Sequence, residues 1–135
     1  MDTNVLYAGL RSREGASFQL LRLLQDGKWK VLLSNTVVTE YEEILLREAD
    51  ALGMSHEETG KLLDDICALA ERCHLSGRWQ PLLADPEDEA FAHLASEAEA
   101  DYLVTHNQRH YEAIRQRGIR VVTPRLFLDT VRAGT

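Results

Sequence analysis

Three polar groups in this chain could converge on a divalent cation: the Asp2-Thr3-Asn4 start, Asp88, and Thr105-His106-Asn107, with Glu40 able to join them from a helix. Carboxylates gathered at one point imply metal chemistry, because Mg²⁺ and Mn²⁺ are hard ions that prefer oxygen ligands and keep several waters. Such an ion acidifies a water for attack on phosphorus and neutralises charge on the phosphate; a second ion about 4 Å away stabilises the leaving oxygen. Each residue also has an ordinary role. Asp88 fits a helix cap, Glu40 fits a solvated glutamate in a mixed helix, and Asp2 fits a residue near a terminus with no task at all.

Whether these groups meet depends on the elements that carry them. Leucines and Phe18 recur at helical spacing over residues 16–25, between Ser17 and Gly27. Residues 29–33 form a short apolar run that reads as a buried strand. A helix over 36–47 puts Val37, Tyr41, Ile44 and Leu45 on one stripe and carries Glu40. Ser55 with Glu58 makes a capping box for a helix over 55–71, and residues 73–75 suggest a strand. Pro86 or Asp88 opens a helix through Phe91, Leu94, Ala95 and Ala98. A strand at 102–105, a helix at about 108–117 closed by Gly118, a strand at 119–122 and a helix opened by Pro124 complete the series. Strands alternating with helices predict a parallel sheet covered on both faces. Right-handed crossovers would then align the residues after the strands along one sheet edge, where the polar groups fall.

The 135 residues, 44% hydrophobic and 27% charged, suit one globular domain with a real core. No apolar run approaches the roughly 20 residues that span a bilayer, and the start lacks the basic and apolar regions of a signal peptide, so a cytoplasmic protein without a membrane partner is expected. Cys67 and Cys73 lack metal-type spacing and are expected as reduced thiols. A net charge of −7 argues against a general nucleic-acid coat protein, which needs a basic surface. It leaves room for a metal-dependent nuclease, since bound ions reverse the potential that carboxylates create. The arginines crowd the last quarter, at Arg109, Arg115, Arg117, Arg120 and Arg125.

Several of these runs together resemble the PIN domain family. They are Asp2-Thr3-Asn4-Val5-Leu6, Thr39-Glu40-Tyr41, Asp85-Pro86-Glu87-Asp88-Glu89, Ala100-Asp101-Tyr102-Leu103-Val104-Thr105 and Val122-Thr123-Pro124-Arg125 with Phe127-Leu128. The match keeps the family's order over nearly the whole chain and is most similar to the VapC-like toxins of toxin–antitoxin pairs. The resemblance implies a three-layer α/β/α sandwich around a central parallel sheet, a Mg²⁺- or Mn²⁺-dependent endoribonuclease acting on RNA, a cognate antitoxin partner and a homodimer. It carries catalytic metal binding onto Asp2, Glu40 and Asp88, with Glu89 as an auxiliary carboxylate. Thr3 and Asn4 would orient Asp2, and Thr105 would sit beside the pocket.

The chain departs from the family pattern in two places. Many relatives carry an acid two positions after the strand-end threonine, where this chain has Asn107, which keeps an oxygen acceptor but no charge. A catalytically weakened PIN module that binds RNA or a protein partner is therefore the alternative function. Relatives also have an apolar strand leading into the first aspartate; either that strand is missing here or residues 5–8 supply part of it in a shifted register. His106 and His110 lie four apart, a spacing found in zinc sites, but no glutamate follows His106. Contact with RNA phosphate, together with Arg109, or simple exposure is expected for them. The apolar stripe of the 55–71 helix would suit a dimer surface.

Overall fold

A computed structural model describes residues 1–134. Asp2 is extended (φ −62°, ψ 150°), and helix α1 (Thr3–Arg11) starts at once, with the Val5 N–H bonded to the Asp2 carbonyl at 3.0 Å. Residues 5–8 are thus helical and supply no strand: Val5, Leu6 and Gly9 share one buried face. That face meets α2 (Ala16–Gln25) at Gly9, where a Cβ would stand 2.7 Å from Leu21 Cδ1 and 3.1 Å from the Ser17 backbone.

Strand β1 (Leu32–Leu33) covers only the end of the predicted run. Ser34 then caps α3 (Asn35–Arg47), its hydroxyl accepting from the Val37 N–H at 3.2 Å. The predicted capping box forms at Ser55 and opens α4 (His56–Leu69). Thr59, Leu63 and Ile66 of α4 are buried within the chain, where α4 packs on α3, while Leu62 and Leu69 of the predicted stripe are half-buried. Extended Ala70 ends the helix, and β2 (Glu71–Arg72) follows, earlier than the predicted 73–75. Both β2 residues are exposed, so no hydrophobic alternation marks them in the sequence.

A 3₁₀ turn (Pro86–Asp88) leads into α5 (Glu89–Glu97), then β3 (Tyr102–Val104). The predicted helix at about 108–117 is split into a 3₁₀ segment (Gln108–Tyr111) and the short α6 (Glu112–Arg115). Gly118 closes it at φ +90°, followed by β4 (Arg120–Val122). Thr123 caps α7 (Pro124–Ala133).

The chain has the α/β architecture, and among the described residues the central parallel sheet is visible only in part, as two separate parallel pairs. β1 pairs in parallel with β2 (Leu32 opposite Glu71) and β3 in parallel with β4 (Tyr102 opposite Arg120). Between the pairs lies a cavity of about 450 Å³, lined by Val31 and Leu32 on one side and Tyr102, Leu103 and Val104 on the other. Met1 also lines it, and the next residue, Asp2, donates its N–H to the Val104 carbonyl at 2.9 Å as a strand residue would. One core cluster gathers Leu6, Leu33, Tyr41, Leu103, Tyr111 and Ile114; a second gathers Val5, Leu20, Val104, Val122, Phe127 and Leu128. Among the described residues no helix is long and apolar enough to cross a membrane, and both cysteines are free.

Candidate metal centre

Asp2 precedes α1 in extended conformation and makes no capping hydrogen bond, which separates it from the ordinary use of aspartate at a helix start. Asp88 ends the 3₁₀ turn that runs into α5; the cap of that turn is Asp85, which accepts from the Glu87 N–H, and the Asp88 side chain is free of capping duty. Asp2 and Asp88 are nearly buried, at 5% and 8% exposure, and both turn towards Tyr111. Its hydroxyl stands 3.2 Å from Asp2 Oδ2 and 3.1 Å from Asp88 Oδ1, so one phenolic proton serves two acceptors. Burial, reinforced by the Asp2 and Asp88 charges, pushes the Tyr111 phenol well above its ordinary pKa, and it stays a neutral donor.

The rest of the support comes from the end of β3. Fully buried Thr105 donates from Oγ1 to Asp2 Oδ2 at 2.7 Å and accepts from the Asn107 N–H at 3.0 Å. The Asp2 carboxylate is therefore held by Thr105 and Tyr111 rather than by Thr3 and Asn4. Asp88 is held on its other side by His110, with Nδ1 3.0 Å from Oδ2. Burial, then the charges of Asp2 and Asp85, hold Asp88 above the usual carboxylate range against the opposing hydrogen bond from Tyr111 and the nearby His110. Glu40, half-buried on α3, is likewise raised by burial and by Glu43 and Glu87, with Arg47 acting in the opposite direction.

These groups open onto a cleft of about 290 Å³ whose walls include Asp2, Thr3, Asn4, Glu40, Asp88 and Asn107. Asp85 and His110, which sequence reasoning did not assign to a metal site, line it too. Four predicted residues stand elsewhere. Thr105 lies beneath the cleft. Glu89 faces the loop before α5, accepting from Trp79 Nε1 at 2.7 Å, the Leu82 N–H at 2.9 Å and the Leu83 N–H at 2.5 Å, so its carboxylate is committed to holding that loop. His106 is exposed, and exposed Arg109 lines a neighbouring groove with Asp85, Pro86 and His110. Of the two histidines spaced four apart, only His110 turns to an acid.

The residues present fit a divalent ion. Among the described residues the one lysine or arginine lining the cleft is Arg47, which pairs with Glu48. The carboxylates thus repel one another with little compensation. Asn4 Oδ1, on a residue of the same cleft, is buried without a hydrogen-bond donor, an orphan acceptor that an ion or its water would satisfy. Asp85, Asp88 and His110 offer ligand atoms all within 4.8 Å of one another.

Tyr111 left little trace in the sequence, because a tyrosine in an apolar helical stripe reads as core; its hydroxyl becomes visible only when both aspartates are placed.

No curated protein and no solved structure matches the chain. The family model of the PIN domain matches residues 1–109, a span that includes Asp2, Glu40, Asp88, Thr105 and Asn107. PIN domains are typically nucleases and bind divalent metals. With that match over most of its length, the chain belongs to the PIN domain family.

Proposed function

We propose that this PIN domain is a Mg²⁺- or Mn²⁺-dependent endoribonuclease that hydrolyses RNA phosphodiester bonds, and that it is the toxin of a toxin–antitoxin pair. The observation that carries the chemistry is the pairing of Asp2 and Asp88: two nearly buried aspartates share one phenolic proton on the wall of an acidic cleft. Charge concentrated in this way costs stability when the cleft is empty, which fits a ligand-binding role better than a structural one. A divalent ion held by Asp2, Glu40 and Asp88 would supply Lewis acidity and an acidified water. The chain's own part is to fix the ligands. Thr105 and Tyr111 set the Asp2 carboxylate, Tyr111 and His110 set Asp88, and α3 brings in Glu40. The open cleft admits a backbone phosphate to the same carboxylates.

The toxin role, with its antitoxin partner, and self-association rest on resemblance to the VapC-like branch. One observation favours a second reading, a catalytically weakened module that binds RNA or a protein: exposed Asn107 lines the cleft where many relatives carry an acid. A mixed panel of single-stranded and structured RNAs, incubated with Mn²⁺, Mg²⁺ or EDTA, separates the two. Metal-dependent cutting that Asp88→Asn reduces by about a hundredfold or more is expected. A folded wild-type chain that binds RNA and leaves it intact in both metals would establish the second reading instead.

A further inference from the structure

We propose that Asp85 and His110 join Asp88 in a mixed oxygen and nitrogen ligand set that makes this cleft select Mn²⁺ over Mg²⁺. The proposal rests on the metal-dependent reading above and deepens it, naming the ion and two further ligands. Its starting point is the chemistry of the donors. Asp2, Glu40 and Asp88 alone offer oxygen, which suits either ion, whereas imidazole nitrogen suits transition ions and is a poor partner for Mg²⁺.

The geometry brings that nitrogen to the right place. His110 Nδ1 already lies 3.0 Å from Asp88 Oδ2, and the ligand atoms of Asp85, Asp88 and His110 all fall within 4.8 Å of one another. Two donors on opposite sides of one ion stand about 4.2 Å apart, twice a bond length of about 2.1 Å, so a small side-chain adjustment closes the set. His110 has room for it, with 46% of its side chain exposed. Asp85 accepts the Glu87 N–H through Oδ1 at 3.0 Å, which leaves Oδ2 available. Both residues line the acidic cleft and the neighbouring groove, so the position lies at the boundary between the two. Asn4, which lines the same cleft, also carries a buried Oδ1 without a hydrogen-bond donor.

The test is pulsed EPR on the metal-free full chain loaded with one equivalent of Mn²⁺, read for coupling to the imidazole ¹⁴N. Alongside it, Mg²⁺ competition is followed through the signal of released Mn²⁺. Wild type and His106→Asn should show nitrogen coupling, and His110→Asn should lose it. In His110→Asn the Mg²⁺ concentration that displaces half the Mn²⁺ should fall about tenfold, and Asp85→Asn, which removes an oxygen ligand suited to either ion, should weaken Mn²⁺ binding about tenfold. Bound Mn²⁺ without nitrogen coupling in wild type, or coupling that persists in His110→Asn, overturns the proposal. Nitrogen-coupled Mn²⁺ with no RNA cleavage would keep the ligand set and sink the ribonuclease reading. Mn²⁺-dependent cleavage without nitrogen coupling would do the reverse.

Discussion

Asp88 and Asp2 draw on one Tyr111 proton, and that arrangement sets how the empty cleft responds to pH. Burial first, then the neighbouring acids, holds the folded pKa of Asp88 above its ordinary value of 3.8, and Glu40 shifts in the same direction. A carboxyl raised on folding binds protons more readily in the native state. Its stabilising contribution is full below the ordinary value and is lost as pH rises through the folded value. Metal-free wild type should therefore lose stability relative to Asp88→Asn as pH rises from about 4 towards neutral. Saturating Mn²⁺ should remove the gap by stabilising only the wild type. Differential scanning fluorimetry of both proteins across that range checks this, and a gap independent of pH and metal would show that the carboxylates do not repel one another. Tyr111→Phe removes the shared donor without changing the ring. It should cost about 1–3 kcal/mol in the metal-free protein, more at neutral pH, where the deprived carboxylates are charged, than near pH 4. Urea unfolding at the two pH values measures it, and equal losses would mean that the hydroxyl contributes nothing particular to the acids.

Elements deliver these residues, and two glycines show how closely. Gly9 lets α1 approach α2, and Gly9→Val would press its branches into Leu21 and the Ser17 backbone, at a cost of about 1–3 kcal/mol. Gly60, exposed on α4 with open space around it, should respond oppositely: Gly60→Ala should stabilise by up to about 1 kcal/mol through helix propensity. Thermal unfolding of the pair checks both signs, and a neutral Gly9→Val would mean that the two helices part easily. The same scale explains what was legible beforehand. Caps and apolar stripes are local, so α2, α3, α4 and α7 could be read from the leucine spacing over 16–25, the stripe over 36–47, the Ser55 capping box and Pro124. Strands of two or three residues carry too little pattern, and β2, exposed at both positions, carries none. Asp2, Glu40, Asp88 and Asn107, far apart in sequence, line one cleft. Glu89 belongs to the same run as Asp88, but its carboxylate serves the loop through Trp79, Leu82 and Leu83, contacts that no local spacing reveals.

At the scale of the whole molecule, the proposed function would bring a chain of net charge −7 to a polyanion. The arginines of the last quarter do not form a free basic strip. Arg115 pairs with Glu112 and donates to the Val121 carbonyl, Arg117 lies over the Trp79 ring at 5.3 Å, and Arg120 donates to the Tyr102 hydroxyl. Trp79 is also stacked on His93 at 4.8 Å. Exposed Arg109 lines the neighbouring groove, which shares Asp85 and His110 with the cleft, and there could meet a phosphate. Binding of RNA should then depend more on the divalent ion than on displaced monovalent counterions. With one or two phosphates neutralised by side chains, log K against log salt should fall with a slope of about −0.7 to −1.4 for single-stranded RNA. Fluorescence anisotropy in fixed Ca²⁺, an ion expected to support binding without cutting, measures that slope at several KCl concentrations. Arg109→Ala should flatten it by about 0.7, and withdrawing the divalent ion should weaken binding at every salt concentration. A slope steeper than about −3 would correspond to more than four contacts and would require a basic surface that the paired arginines do not provide. Affinity insensitive to the divalent ion would place the RNA away from Asp2 and Asp88 altogether.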